Sequence, residues 1–515
     1  MELAPRLDLA GDNLLACLCP ERNWLPYWHM VVDAERRAEY QFRPHCNGHN
    51  VGRWWNTMLR LERSTGYAIP PQIEAAMLDH TWRMCDNPCG ILLDDPDPEQ
   101  VHTWYLHSYR ETMLALGLLV ETRKSERAHR QGLRAIDCMR RATADLERWD
   151  LCRCEGGPPG LTYTGRRSEG PYTHGRAIEG LICFYLATGA EEAFTEARRL
   201  ADFHAAHTLT PDGSLAGGCG HHTHSYLNTV RGLALVARLD GDQALLECIR
   251  STYRRAIAAM LTPSGFVTHD IGAHAGGDIA SIGDIAHIAL LLWDYYGDPA
   301  LLDEAERLVR CRLVPAQVVS PVPVEPMRDG GRDSLTDLPN RFVGAIGGSV
   351  GQVRGQTCVT DFTAAALHSL LELHDRTVDV GADAIRVNFH FDTDRAEISV
   401  RSRRRGSEAR VRIDNRSGKE LRLRLPGWSP APAEVQLDGV PCKVHVERSW
   451  VLAPGSARKV ELRFTLPATM TEEPVREEDR RPGTLRFHWR GDEIVDIEPC
   501  GDYLAPLPAP NGSFL

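Results

Sequence analysis

The segment Tyr296-Gly-Asp-Pro-Ala-Leu-Leu302 decides the fold of the first part of the chain, because it ends one helix and begins the next. A glycine directly after a helix supplies the left-handed conformation that closes the last turn. The same kind of stop occurs at Gly66, Gly189 and Gly241. The intervals from Gly189 to Gly241 and from Gly241 to Gly297 are 52 and 56 residues, about one helical hairpin each. Repeated hairpins of this length predict either an open solenoid or a closed toroid.

The spacing of apolar residues changes late in the chain. In Ile178-Glu-Gly-Leu-Ile-Cys-Phe-Tyr-Leu186, and from about residue 10 to 372, apolar residues recur three and four positions apart, which predicts helices. From about residue 380 the period is two, as in Ile385-Arg-Val-Asn-Phe-His-Phe391. Short alternating strands separated by turn residues predict an antiparallel β-sandwich. We expect the proline-rich end beyond Leu504 to be an extended tail.

Composition excludes several classes of protein. The 515 residues, 43% hydrophobic and 25% charged, are typical of a globular chain. We expect no transmembrane helix and no signal peptide, and reduced thiols for the fifteen cysteines, so the expected location is cytoplasmic. The net charge of −11 argues against nucleic acid as a partner. The one dense basic run, Arg401 to Arg405, is predicted to be the solvated face of a hairpin.

Polar residues mark the start of each first helix of a hairpin. Arg53, His174, His224 and Asp284 precede the glycine that ends their helix by 13, 15, 17 and 13 residues, and His107 with Arg110 opens another helix. If these are the inner helices of a toroid, their N-terminal ends meet at one mouth. Helix N-termini favour anions and hydroxyl-rich ligands. The pattern therefore favours a closed toroid with a sugar site at that mouth.

Six motifs resemble the β-L-arabinofuranosidase family, glycoside hydrolase family 127. They are Asn50-Val-Gly-Arg-Trp-Trp55, His107-Ser-Tyr-Arg-Glu111, the block from His221 to Gly232, Cys358-Val-Thr-Asp-Phe362, Leu423-Arg-Leu-Pro-Gly-Trp428 and His488-Trp-Arg-Gly-Asp492. The resemblance spans nearly the whole chain. It implies a mainly α chain with a β domain: an (α/α)₆ barrel over residues 1–375 that carries catalysis, followed by a β-sandwich over 376–515.

The resemblance also implies a zinc site that this chain does not retain in full. The family holds zinc with a glutamate and cysteines and uses a cysteine nucleophile and a glutamate acid/base. Its Glu-Thr-Cys segment matches Asp278-Ile-Ala280, and its Cys-Cys pair matches Thr357-Cys358. Alanine and threonine cannot replace thiolates. We therefore predict no cofactor, and if zinc binds after all, its ligands would be Cys358, Asp278 and a histidine such as His269 or His274.

Hydrolysis of a glycoside without a metal needs two carboxyl groups. We predict Asp270, in the glycine-rich segment after Gly265, as the acid, and Asp278 as the second carboxylate; Asp284 and Asp361 also lie near the mouth. Alternatively, Asp270 caps a turn and Asp278 caps the following helix. The predicted sugar-binding residues are His107, Arg110, His174, His222, His224, Asp284 and Trp54.

The sequence therefore predicts a glycosidase for a small glycoside or oligosaccharide, of an arabinofuranoside-like or uronate-containing kind. We expect no nucleic-acid or membrane partner, and a homo-oligomer is compatible with the sequence. Three alternatives use the same toroid: a polysaccharide lyase with Tyr226 beside His224, a sugar epimerase, and a glycan-binding protein that has lost catalysis. A hydrolase yields a new reducing end, a lyase an unsaturated sugar, and an epimerase an isomer of equal mass. Fold alone does not choose among them.

Overall fold

The structure is a computed structural model of the 515-residue chain. It describes residues 2–27, 29–32, 37–42, 47–87, 90–93, 102–103, 106–144, 146, 161–162, 175–217, 222–272, 277–321, 323–326, 336–347, 358–430, 432–443, 445–474 and 483–499.

Twelve helices of the described residues build the barrel, as five hairpins of consecutive helices and a sixth pair formed by the last of them, Thr360–Asp375, and the first, Ala4–Ala16. In chain order they are α1 Ala4–Ala16, α2 Asn47–Thr65, α3 Pro71–Met84, α4 Leu106–Arg123, α5 Glu126–Ala142, α6 Ala177–Thr188, α7 Glu191–His207, α8 Thr223–Asp240, α9 Gln243–Thr252 (continued by Tyr253–Ile257 and Ala258–Met260), α10 Ile279–Tyr296, α11 Pro299–Leu308 (continued by Val309–Leu313) and α12 Thr360–Asp375. A short helix, Leu338–Arg341, and a 3₁₀ helix, Pro20–Arg22, are additional. Three of the predicted stops, Gly189, Gly241 and Gly297, are left-handed caps of α6, α8 and α10.

The inner helices α2, α4, α6, α8, α10 and α12 close a ring, because each contacts the next and α12 contacts α2. Glycines allow this close approach. A Cβ on Gly52 of α2 would lie 2.8 Å from Cβ of Glu111 on α4, and one on Gly180 of α6 would lie 2.8 Å from the carbonyl of Arg110. The core of the ring includes Trp54, Tyr109, Ile178 and Leu290, all almost fully buried. The predicted (α/α)₆ toroid is confirmed.

Short strands lie among these helices, which the expectation of helices alone over this stretch did not include. They are β1 Leu18–Cys19, β2 Leu25–Pro26, β3 His29–Val32, β4 Arg37–Gln41, β5 His102–Thr103, β6 Leu161–Thr162, β7 Glu325–Pro326 and β8 Cys358–Val359. The strands β7, β4, β3 and β8 form one small sheet in that order. It joins the neighbouring strands β3 and β4 to segments roughly 290 and 330 residues later in the sequence, so no local periodicity could predict it.

The rest of the described chain is β-structure. The strands are β9 Val378–Val380, β10 Ala384–Val387, β11 Thr393–Asp394, β12 Ile398–Arg405, β13 Glu408–Asn415, β14 Glu420–Arg424, β15 Glu434–Leu437, β16 Val440–Cys442, β17 Val446–Glu447, β18 Trp450–Ala453, β19 Lys459–Thr465, β20 Ala468–Pro474, β21 Thr484–Arg490 and β22 Glu493–Glu498. A five-stranded sheet (β17-β18-β14-β10-β9) and a six-stranded sheet (β11-β12-β13-β19-β15-β16) enclose a separate apolar core. The pairing is antiparallel except between β10 and β14. The predicted sandwich is confirmed, and β20, β21 and β22 form a further sheet.

A buried cluster of charges joins the barrel to the β-strands. Arg424 at the end of β14 pairs with Glu306 and Asp303 of α11, and Arg310 pairs with Glu306 at 2.7 Å. Arg404 of β12 pairs with Asp492, which lies between β21 and β22. We call these residues the junction cluster. Buried ions need partners of opposite charge, so the cluster fixes how α11 meets the strands.

Two further predictions concern the ends of the chain and the membrane. The helix α12 ends at Asp375 and β9 begins at Val378, while the division into residues 1–375 and 376–515 stays a prediction. The proline-rich tail beyond Leu504 lies outside the described residues. No helix in the described part of the chain has the length and apolar character needed to cross a bilayer. The cytoplasmic location stays a prediction.

Candidate functional site

The N-terminal ends of all six inner helices place charged or imidazole side chains at one end of the barrel. In helix order these are His49 and Arg53 (α2), Arg110 and Glu111 (α4), Arg176 and Glu179 (α6), His224 and Arg231 (α8), Asp284 (α10) and Asp361 (α12). Together we call them the mouth cluster. Each lies within the first three turns of its helix or directly before it, which is the offset that the sequence showed for Arg53, His224 and Asp284.

Arg53 occupies the centre of the mouth cluster. Its Nε is 2.7 Å from Oδ1 of Asp361 and 3.3 Å from Oε1 of Glu111. The same oxygen of Asp361 is 2.8 Å from Nε2 of His49, one turn before Arg53 on α2. Two side chains of α2 therefore hold the carboxylate of α12.

His224 has a defined tautomer because Arg53 can only donate hydrogen bonds. Nη2 of Arg53 lies 2.7 Å from Nε2 of His224, so Nε2 is the acceptor. The proton of the neutral ring is then on Nδ1, which donates to Oδ2 of Asp284 at 2.6 Å. Asn228 also donates to that oxygen at 2.8 Å. This series of hydrogen bonds fixes the orientation of the imidazole of His224 and of its partners Arg53 and Asp284.

Two arginines link the remaining carboxylates. Arg231 donates to both Asp284 and Glu179. Arg110 donates to Oε2 of Glu179 at 2.7 Å and also to Glu111. All of these side chains are at most 2% exposed. The mouth cluster thus matches four arginines (with Arg53 and Arg176) to four carboxylates, as burial requires.

One edge of the mouth cluster opens toward the segment after Gly265. Arg176 donates to Oγ of Ser225 at 3.1 Å, and that oxygen is 2.7 Å from Nδ1 of His222. The rings of His222 and His269 lie 4.7 Å apart, and Nδ1 of His269 is 3.1 Å from Oδ1 of Asp270. His269 and Asp270 are about half exposed. Because these two side chains are exposed, we call this side the open edge of the mouth cluster.

Backbone hydrogen bonds hold that segment in place. Thr223 at the start of α8 donates to the carbonyl of His269 at 2.9 Å, and Asp278 donates to the carbonyl of Val267 at 3.0 Å. Before it, the hydroxyl of Ser264 donates to Glu473 of β20 at 3.0 Å. Residues 264–270 are therefore hydrogen-bonded on both sides, to α8 and the start of α10 and to β20.

Burial and neighbouring charges set the protonation states. Although burial opposes charge on Asp361, Arg53 and His49 hold its pKa well below the ordinary value. In the same way Arg110 and Arg53 lower the pKa of Glu111 to about 2. Burial lowers the pKa of His222 and of His224 far below the ordinary value, so both rings are neutral at pH 7. Burial raises the pKa of Asp284 against the effect of Arg231.

Asp278 serves as the N-cap of α10. Its Oδ1 accepts from the backbone N–H groups of Ala280 and Ser281, and its Oδ2 accepts from the hydroxyl of Ser281 at 2.8 Å. The side chain is 1% exposed, and burial raises its pKa. This is the capping role that the sequence analysis gave as the alternative, and both carboxylate oxygens are engaged in it.

The structure brings together only some of the predicted site residues. Arg110, His222, His224 and Asp284 lie in or beside the mouth cluster, and Asp270 lies at its open edge without the apolar surroundings expected for an acid. Trp54 is 1% exposed and packs edge-on against Trp55 in the core, so it is placed as a core residue. The side chains of His107 and His174 lie outside the described residues.

The residues present do not fit the zinc site of family 127. Ala280 offers a backbone N–H to Asp278 rather than a thiolate, and His269 bonds to Asp270. In the described part of the chain no three His, Cys, Asp or Glu side chains are grouped to hold a metal ion. The side chain of Cys358 and all of His274 and Thr357 lie outside that part, so the expectation of no zinc stays a prediction.

Sequence reasoning did not single out Glu179, Arg231, Arg176 or His49 as site residues. The available signal was a charged residue early in an otherwise apolar helix, as Glu179 is within Ala177–Thr188. Such a residue is buried and needs a partner of opposite charge. The sequence indicated that a partner exists, whereas only the ring of helices shows that it is Arg110 and Arg231.

Comparison with known proteins gives structural neighbours only. No family model matches the chain, and no curated protein matches it. A family 127 β-L-arabinofuranosidase from Geobacillus stearothermophilus T6 matches with a TM-score of 0.56 and 14% identity, over 95% of this chain and 80% of that one. A second family 127 β-arabinofuranosidase matches with a TM-score of 0.55 and 12% identity, over 96% of this chain and 81% of that one. A solved glycoside hydrolase matches with a TM-score of 0.54 and 13% identity, over 92% of this chain and 84% of that one. The resemblance predicted from the motifs therefore extends to the fold of the whole chain.

Proposed function

We propose that this protein is a glycoside hydrolase that acts on a small glycoside or oligosaccharide at the open edge of the mouth cluster. The observation that carries the proposal is Asp361, a carboxylate that Arg53 and His49 keep ionised while its side chain stays 13% exposed. An ionised, oriented and reachable carboxylate is the group that a glycosidase uses as base or nucleophile. The fold shared with solved glycoside hydrolases agrees with it.

Asp361 replaces Asp278 as the second carboxylate in this proposal. Both oxygens of Asp278 are occupied by three donors of α10, and freeing them would uncap the helix. Asp361 was among the carboxylates expected near the mouth, and His49 and Arg53 both contact its Oδ1.

Asp270 remains the proposed acid. It is half exposed in the free protein, and a sugar bound against His222 and His269 would cover it. A carboxyl group beside the bound sugar is placed to donate its proton to the leaving oxygen. The neutral ring of His222 then serves to bind a sugar hydroxyl, whereas both ring nitrogens of His224 are engaged by Arg53 and Asp284.

The proposed substrate is an arabinofuranoside-like or uronate-containing sugar. The structural neighbours named as arabinofuranosidases support the first, and the second stays an expectation from the sequence. The lyase alternative loses support because Tyr226, its proposed base, is fully buried.

The test is incubation of the full chain with aryl arabinofuranosides and aryl uronides, with analysis of the products. A new reducing end supports the proposal, whereas an unsaturated sugar or an isomer of equal mass would contradict it. Replacing Asp270 with Asn should lower kcat/KM about 10²–10⁴-fold for poor leaving groups and much less for activated aryl groups. Asp137→Asn on α5, where the side chain is 60% exposed, is the matched control.

A further inference from the structure

The outer face of the six-stranded sheet carries a concentration of cations. Side chains on β12 and β13 alternate between the sandwich core and solvent, with Val400, Val411 and Ile413 inside. The outward positions line a depression of about 840 Å³. Its cations are Arg401, Arg403, Arg405, Arg410, Arg412 and Lys459. We call these six residues the basic face.

The strand register places like charges directly opposite one another. Arg401 pairs across β12 and β13 with Arg412, and Arg403 pairs with Arg410. On the other side of β13, Arg410 lies opposite Arg463 of β19. Like charges at facing positions destabilise a sheet. Three arginines in one row are therefore a cost to folding that an anionic ligand would offset.

Carboxylates neutralise the basic face only in part. Glu461 is 2.7 Å from Arg412 and 3.7 Å from Arg410. Asp394 is 3.1 Å from Arg401, Asp392 is 3.0 Å from Arg403, and Glu408 is 3.4 Å from Arg410. Arg405 and Lys459 form no ion pair with any residue in the described part of the chain, and Asp414 is a further acid along the depression. Arg403 and Arg412 remain 69% and 63% exposed. This positive excess occurs in a chain whose net charge is −11.

We propose that the basic face binds an acidic polysaccharide. Arginine forks bind carboxylates in a bidentate manner, and strands about 4.8 Å apart present them in an array suited to a chain of repeated anions. That the polyanion is a polysaccharide rests on the proposed function, since a glycosidase meets glycans. The basic face would hold the polymer on the β domain while a sugar residue enters the barrel.

The experiment is affinity electrophoresis of the full chain in gels containing polygalacturonate, with neutral arabinan as the comparison polymer. We expect retardation by polygalacturonate alone, weakening as salt rises. The double variant Arg403→Glu/Arg410→Glu should weaken binding on the order of tenfold or more. Arg254→Glu/Arg255→Glu makes the same change of charge at exposed arginines of the barrel and should bind as the unaltered chain does.

Three results would overturn the proposal: no retardation of the unaltered chain, equal loss in both double variants, or retardation by a DNA oligonucleotide as strong as that by polygalacturonate. Urea unfolding of each variant identifies loss of fold, and the salt dependence of the unaltered chain tests the proposal without any variant. The retardation in the gel measures binding alone and does not depend on hydrolysis of the polymer. A chain that binds polygalacturonate yet releases no reducing end would keep the basic face as a polyuronate-binding surface while the proposed hydrolysis fails.

Discussion

The arginines of the mouth cluster are buried, whereas those of the basic face are exposed. In the mouth cluster four arginines are buried and matched to four carboxylates. On the basic face four arginines also have carboxylate partners, but they stay largely in solvent, and Arg405 and Lys459 form no ion pair within the described residues. Removing a charge from water costs several kcal/mol unless a partner compensates it, so burial enforces pairing and exposure does not. The buried arginines therefore fix geometry, whereas the exposed ones are available to a ligand.

The junction cluster shows that buried pairing alone does not mark a functional site. Arg310 and Arg424 are as buried as the arginines of the mouth cluster, and both are paired with Glu306. What distinguishes the mouth cluster is its open edge, where the ring of His222 lies beside exposed His269 and Asp270.

The largest expected effect comes from breaking the charge balance of the mouth cluster. Glu111→Gln leaves Arg53, Arg110 and Arg176 facing one carboxylate fewer, and removal of one partner from a buried ion pair costs about 3–5 kcal/mol. We expect a loss of this size in the free energy of unfolding, measured with urea. Glu192→Gln, at an exposed position of α7, should change it by about 1 kcal/mol or less. A similar loss for both variants would contradict the comparison.

Acid should destabilise the protein through the mouth cluster. The pKa of Glu111 falls from 4.5 to about 2 on folding, so its contribution is present above pH 4.5 and is lost as the pH falls toward 2. His222 and His224 also have lowered pKa values in the folded chain, so stability starts to fall below their unfolded value of about 6.5. We expect the free energy of unfolding to decrease steadily from pH 7 to pH 4.

The control for this pH effect is Arg403→Ser/Arg410→Ser, which should keep the same pH dependence because it leaves the mouth cluster intact. Glu111→Gln should instead flatten the part of the curve below pH 4.5. Unfolding curves at four or five pH values separate these outcomes, and a stability independent of pH would contradict the assigned protonation states.

The smallest expected effect is on the basic face. Arg403→Ser/Arg410→Ser removes two like charges that face each other, so stability should stay within about 1 kcal/mol of the unaltered chain or rise slightly. The change should be largest at low salt, where repulsion is least screened. Urea unfolding at two salt concentrations measures it, and a loss of several kcal/mol would show that these arginines stabilise the sheet.

The sequence predicted the parts of the fold that depend on local signals. The glycine stops and the change of period at about residue 380 indicated the helical hairpins and the sandwich, and the offset of polar residues indicated the mouth. It could not predict the sheet of β3, β4, β7 and β8, because its strands come from distant segments. It also placed Trp54 at the sugar site, whereas the ring of helices encloses that side chain.

The exchange of Asp278 for Asp361 has a similar physical reason. A carboxylate just before a helix reads equally as a cap or as a catalytic group, and only the hydrogen bonds to Ala280 and Ser281 distinguish them. The partners of Asp361 lie on α2, about 310 residues earlier in the chain. A contact over such a distance leaves no periodic pattern in the sequence from which it could be predicted.

The central claim is that Asp361 acts in hydrolysis at the open edge of the mouth cluster, and the direct measurement is kcat/KM of Asp361→Asn on an aryl glycoside that the unaltered chain hydrolyses. We predict a fall of at least about 10³-fold while substrate still binds, with Asp137→Asn unchanged. Urea unfolding of the same preparations establishes that both variants are folded. A folded Asp361→Asn protein that keeps full turnover would contradict the account.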